Sequence, residues 1–204
     1  MYDLASALWV SIIAAVLPLK RNVLNAVLWA YHQRFLASLC MSAKVDTVVD
    51  AARLGLDSGK CAVNGLQSTG ESVAGFDSSD DDDGLSSTAD GIVRSFLINH
   101  CVQRGMDSES RDDLLAQLEI LSAILPANPL DEIIDRLGGP SKVAEMTGRR
   151  HRRVRASNGA FRYVARTREG SGAQSINIME RQNFPSGRKL VAIISQAVST
   201  GISL

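Results

Sequence analysis

Two tracts hold most of the residues that could do chemistry. Gly65-Leu66-Gln67-Ser68-Thr69-Gly70-Glu71-Ser72 differs by one residue from the phosphate-binding loop G-x-x-x-x-G-K-[ST], and it follows the apolar run Cys61-Ala62-Val63 as that loop follows a strand. The residue that differs decides the chemistry. The loop's lysine brings positive charge to the β and γ phosphates, whereas Glu71 would set a negative charge against them. What remains is a strand-to-loop turn whose Ser68 and Thr69 hydroxyls and backbone amides can meet a nucleic-acid phosphate. The second tract is basic: Arg149, Arg150, Arg152, Arg153 and Arg155, with His151 among them. Such a run can neutralise backbone phosphates or serve as a nuclear-import signal, and it suits a solvated strand and loop equally well. Nothing in it reads bases.

No independent catalytic site assembles from the rest. His32, His100 and His151 are scattered, and paired carboxylates occur only in an acidic block or at helix starts, where capping is their commoner use. Cys40, Cys61 and Cys101 are odd in number, far apart and without a C-x-x-C pair, which excludes a disulfide framework and a zinc site and fits a reducing compartment. The expectation is no catalytic residue and no metal ligand.

The elements that must position these tracts read as follows. Residues 3–16 and 22–40 are expected as helices, the second from Leu24, Val27, Leu28, Tyr31, Phe35 and Leu39 recurring on one face. A further helix is expected from about Val45 to Leu56, stopped by Asp57-Ser58-Gly59 ahead of a short buried strand over Cys61–Leu66. Between Ser68 and about Ser87 the chain turns to Gly, Ser and Asp, with an acidic block at Asp80–Asp83 that can bury nothing. Helices follow from near Gly91 to Gln103 and from Asp112 to Ile124. Asn128-Pro129 opens a short amphipathic helix that Gly138-Gly139-Pro140 closes, and Ser141 is read as capping another turn, Lys142–Met146, with Glu145 offsetting its exposed amides. Arg152–Arg155 and Phe161–Ala165 look like short strands joined at Asn158-Gly159, and Ile176–Phe184 like a helix. Leu190–Ile194 is the strongest buried-strand signal. A sheet ending at that strand would leave an unpaired edge.

Strands alternating with helices give an α/β class with a mostly parallel sheet. The apolar stretch Ala7–Leu19 resembles the core of a signal sequence, but Asp3 precedes it and Lys20-Arg21 follow it, so a buried helix and no membrane partner are expected. Lys+Arg and Asp+Glu both number 22, yet half of the bases and only two acids, Glu169 and Glu180, lie beyond Thr147. The chain is acidic over most of its length and basic at its end, which favours an anionic partner for the latter.

Four segments taken together resemble the Strawberry notch family, whose members are similar to superfamily-2 helicases and act as nuclear regulators of transcription. They are His32-Gln33-Arg34-Phe35 with Leu39–Val45; Lys60–Val63 with Gly65–Glu71; Asn128-Pro129-Leu130-Asp131 with Leu137–Pro140 and Val143–Arg150; and Lys189–Ser195 with Ser199–Leu204. The third is the most specific. The resemblance implies a fold: an incomplete RecA-like (P-loop NTPase-type) second lobe over residues 59–204, with a disordered acidic loop at about 72–90, behind a helical segment over residues 1–58. It implies that Ser199, Thr200 and Gly201 belong to the loop that touches nucleic acid and helps close the ATP cleft, where small residues and free amides suit close approach to phosphate. It implies ATP and Mg²⁺ for the complete family protein and no cofactor for this chain alone. The implied partners are a first RecA-like lobe, nucleic acid and nuclear transcription or chromatin proteins. The sequence stops at Leu204, before the arginine motif of such motors, and the phosphate loop of the first lobe is absent, so the chain by itself is expected to hydrolyse nothing. The alternative is a stand-alone nuclear module that binds nucleic acid or protein with no motor role.

Overall fold

A computed structural model describes residues 2–19, 22–66, 88–125, 128–147, 149, 151–155, 161–166 and 173–195. The acidic tract, the Asn158-Gly159 turn, Ser68, Thr69, Arg150 and Ser199–Gly201 lie outside the described residues. The chain folds as two compact units, residues 1–42 with 73–127 and residues 43–72 with 128–204. A long helix contributes to both.

The first unit is helical. Its core draws on α1 (Tyr2–Val16), the first half of α2 (Asn22–Asp57), α3 (Ala89–Phe96) and α4 (Ser108–Ser122). Leu8, Ile12, Leu24, Phe35, Leu39, Phe96, Leu97, Leu118 and Leu121 are buried together. α1 and the turn after it, Tyr2–Leu19, are long and apolar enough to cross a membrane by length and composition. In this fold α1 buries Ala5, Leu8, Trp9, Ile12 and Val16, one face at helical spacing. His32 is set edge-on to Trp9 and Trp29, with ring centroids 4.8 and 5.4 Å away, and burial lowers its pKa. Thr88 caps α3 by accepting from Gly91 N–H, and Asp107 caps α4 by accepting from Ser110 N–H at 2.7 Å. α3 runs through one π turn, Leu97–Cys101, and stops at Gly105, whose φ of 93° is left-handed.

α2 departs from the expected pair of helices. Residues 22–57 form one continuous helix of 36 residues. Met41-Ser42-Ala43-Lys44 contains no glycine or proline, and the Ser42 hydroxyl donates back to the Ser38 carbonyl at 3.0 Å, so nothing interrupts the ladder. Its end is where the sequence put it. Gly59 N–H donates to Leu56 O and Lys60 N–H to Gly55 O, a paired closure that needs the left-handed φ of 70° at Gly59.

The second unit carries the sheet. β1 (Ala62–Leu66) and β2 (Val143–Met146) both pair in parallel with β5 (Val191–Ser195), in the order β1-β5-β2. β5 is therefore the central strand, not an edge as the sequence suggested. Its apolar run has neighbours on both sides, which is why Val191, Ala192 and Ile193 are buried. The helical turn expected over Lys142–Met146 is β2 instead. Short apolar runs do not declare their period, and here Val143, Ala144 and Met146 are at most 1% exposed because a strand beside β5 is covered on both faces. Helix α5 (Pro129–Arg136) packs Leu130, Ile133 and Ile134 against Val143, Val191 and Ile193 and against Val45 and Val49 of α2. α6 (Ala173–Asn183) lies between the hairpin β3 (His151–Arg155)–β4 (Phe161–Ala165) and β5 in sequence. The hairpin is a separate antiparallel pair.

Candidate functional site

The described residues between Asn128 and Arg149 fold into a bracket of charge built on α5 and β2. Asn128 caps α5, its side-chain oxygen accepting from Leu130 N–H at 2.9 Å and Asp131 N–H at 3.2 Å, and Pro129 fills the first position, where no N–H is needed. This fixes Asp131 in the first turn with only 4% exposure. The helix ends through Gly138 and Gly139, with φ of 100° and 78°, and Gly139 N–H donates to Ile134 O at 2.8 Å. A Cβ at Gly138 would also meet the Lys142 side chain at 3.0 Å. The reversal sends the chain into β2 and brings Glu145 inward.

Arg149 then closes the bracket. Its Nε and Nη2 donate to the two oxygens of Glu145 at 2.6 and 3.1 Å, and Nη2 also donates to Asp131 at 2.5 Å. Burial by itself would lower the Arg149 pKa, but the hydrogen bond and charge of Glu145, then of Asp131, outweigh it and leave the pKa raised. Thr147 donates its hydroxyl to Glu145 at 2.6 Å. Arg152 donates to Asp131 at 3.1 Å and to Asp135 at 2.6 Å, and Arg166 donates to the carbonyls of Glu145 and Arg149, both at 2.8 Å, with its Nη1 3.2 Å from the Glu145 carboxylate. Three guanidiniums thus face three carboxylates. The balance matters, because a buried ion without a partner would be expelled or neutralised.

A smaller clamp stands beside it. Lys189 Nζ lies 2.6 Å from both oxygens of Glu180 on α6 and donates to Pro140 O at 2.7 Å and Val143 O at 3.2 Å. It ties the start of β2 to the chain entering β5.

All three parallel strands end on the same side, with Leu66 opposite Ser195 and Met146 opposite Ile194. The Ser195 hydroxyl donates to Thr147 O at 3.3 Å and joins two of these ends. In open α/β sheets this carboxyl edge is where ligands bind. Ser68 and Thr69 follow Leu66 in the sequence, Arg150 follows Met146, and Ser199, Thr200 and Gly201 follow Ser195. The structure therefore brings the strands that feed these predicted residues to one edge, while the residues themselves lie outside the described ones. Of the arginines named from sequence, Arg149 and Arg152 are buried within the bracket, and Arg153 stands in β3 at the register of Tyr163.

Sequence reading missed Asp131, Glu145, Arg166 and the Lys189–Glu180 pair as structural polar groups. One signal was present: Glu145 and Arg149 are four residues apart in a stretch otherwise too apolar to leave a carboxylate unpaired. Among the described residues no group of three or more His, Cys, Asp and Glu is arranged to hold a metal. Burial pushes the Cys101 thiol up to about 12, which leaves it without nucleophilic thiolate near neutral pH.

The fold and the bracket define a class first: an α/β unit with a parallel sheet, of the kind that binds ligands at its carboxyl edge. Comparison with known proteins is narrower. Residues 128–204 match the family model described as the C-terminal domain on Strawberry notch homologue, a helicase C-terminal domain. The chain is 30% identical to protein strawberry notch homolog 1 of Rattus norvegicus, an alignment that covers 100% of this chain and 24% of the relative. It is 51% identical over 94 residues to protein strawberry notch of Drosophila melanogaster, covering 46% of this chain and 6% of that protein. Protein FORGETTER 1 of Arabidopsis thaliana is 55% identical over 89 residues, 43% of this chain and 7% of the relative. No solved structure shows a significant match. The chain belongs to the Strawberry notch family and carries its helicase C-terminal domain. It spans at most about a quarter of the length of these relatives.

Proposed function

We propose that this chain supplies the second-lobe portion of a Strawberry notch-type, superfamily-2 helicase-like regulator of transcription or chromatin in the nucleus. In this reading it contributes one wall of an ATP cleft and part of a nucleic-acid track, and it hydrolyses nothing alone. The observation that carries the reading is the shared carboxyl edge of β1, β5 and β2, from which the segments with Ser68, Thr69, Arg150 and Ser199–Gly201 continue. A first lobe would bring the phosphate loop lysine and the acidic Mg²⁺ ligand, so ATP and Mg²⁺ would be held mainly by that partner. Ser199, Thr200 and Gly201 would meet the nucleic-acid backbone through hydroxyls and amides.

The test is ATP hydrolysis measured with and without single-stranded nucleic acid, on the isolated chain and on the complete two-lobe protein that contains it. The isolated chain should be inactive, and the complete protein should show stimulated hydrolysis. In that protein Ser199→Ala with Thr200→Ala should remove most of the stimulation and lower basal turnover as well, since the same loop helps close the cleft. A complete protein without hydrolysis would sink the motor reading and leave the chain as an interaction module.

A further inference from the structure

β1 ends the parallel sheet: it pairs with β5, and among the described residues no strand lies on its other side. Ala62 N–H donates to Leu190 O at 2.9 Å, so the backbone groups of Ala62, Asn64 and Leu66 serve the ladder with β5. Those of Val63 and Gly65 therefore point away from the sheet. Val63 is 49% exposed, Gly65 is exposed, and a Cβ at Gly65 would meet nothing within 4 Å. Proteins usually blunt such an edge with a charge or a proline, and Cys61–Leu66 contains neither. One side chain of the strand is also incomplete: Asn64 Nδ2 is buried and has no hydrogen-bond partner.

We infer that this edge takes a second copy of the chain, with β1 pairing antiparallel to its own copy across a two-fold axis at Asn64. Val63 of each copy then exchanges both backbone hydrogen bonds with Gly65 of the other, and two three-stranded sheets become one of six strands. The axis passes between the two Asn64 residues, a directly opposed pair whose side chains stand close together on one face. An amide is both donor and acceptor, so after rotation about its last side-chain bond Nδ2 of each reaches Oδ1 of the other. A second copy is thus the partner that completes Asn64 with the same residue. Charge favours it as well. Parallel pairing gathers Lys60, Lys142 and Arg188, all exposed, at the amino end of the sheet. The chain continuing from the carboxyl end of β1 carries Glu71, Asp77 and Asp80–Asp83 and no base before Arg94. Antiparallel pairing sets the amino end of each copy beside the carboxyl end of the other, so bases meet acids twice. The inference does not depend on the motor reading.

The experiment is sedimentation velocity on the full 204-residue chain over a concentration series, with oxidative cross-linking beside it. The parent should form a dimer whose share rises with concentration and falls with added salt. Val63→Lys sets like charges one diagonal apart across the axis and should raise the dimer dissociation constant on the order of tenfold. Its melting temperature should match the parent's, because Val63 is exposed, and Val63→Thr should dimerise as the parent does. The opposed Asn64 Cα atoms would lie about 4.5 Å apart, within disulfide reach. Asn64→Cys with Cys40→Ser and Cys61→Ser should therefore oxidise to a covalent dimer. Cys61 and its copy would lie about 20 Å apart, so the chain with Cys40→Ser alone should not cross-link. The cross-link reads the same pairing without a charge in the strand, so it decides the matter if Val63→Lys lowers the melting temperature. A parent that sediments as a monomer at every concentration overturns the inference. A dimer that a folded Val63→Lys chain keeps intact also overturns it and puts the contact on another surface. Cross-linking through Cys61, or none through Asn64→Cys, does the same.

Discussion

Arg152 stands in a run of basic residues, and the fold buries it against two carboxylates. Sequence displays the run of arginines but not its parity against a partner, because the partner carboxylates, Asp131 and Asp135, come from a helix many residues earlier. The same limit applies at Arg149, where Glu145 is near in sequence but is turned inward only once β2 is known to be a strand. Arg149 and Glu145 have side chains exposed by 2% and 6%, so removing one partner strands the other. Arg149→Ala should lower the free energy of unfolding by about 3–5 kcal/mol in denaturant titration. Arg111→Ala, which breaks the exposed pair with Asp112, should change it by at most about 1 kcal/mol. Equal effects from the two substitutions would mean that the bracket is not the buried network described.

Most elements were legible because their periods are long enough to declare themselves. α1, α3, α4, α5, α6, β1, β5 and the hairpin all fall close to where spacing and punctuation put them. Two elements were not. β2 has four residues with both faces buried, so neither a period of two nor one of 3.6 is visible. α2 was divided because its apolar face weakens between Cys40 and Val45, although no residue there breaks a helix. The continuous ladder has a measurable consequence. Ala43 is exposed, so a proline there removes backbone hydrogen bonding while disturbing little packing. Ala43→Pro should cost about 3 kcal/mol or more and reduce the helical circular dichroism signal, whereas Ala43→Gly should cost about 1 kcal/mol. If α2 were two helices with a joint at this point, the proline would be tolerated.

Across the whole molecule the formal net charge is zero, with the acids concentrated before Thr147 and the bases in excess after it. A chain of this kind has no net repulsion to keep copies apart and has opposite charges available for attraction between them. At low ionic strength near neutral pH the purified chain should self-associate. Added salt should reverse this over the range in which the Debye length falls from about 30 to about 8 Å. Light scattering across a salt series checks it, and association that grows with salt would point to apolar contacts instead.

The sheet has one more property, which concerns time. β1 and β2 are each hydrogen-bonded to β5, which lies between them and comes after both in the chain, at residues 191–195. During synthesis the two outer strands leave the ribosome with the gap between them unfilled, and their apolar residues wait for a segment not yet made. The second unit therefore closes late, by insertion of its central strand, and a nascent chain halted before Val191 would present two unpaired strands to chaperones and to its own neighbours.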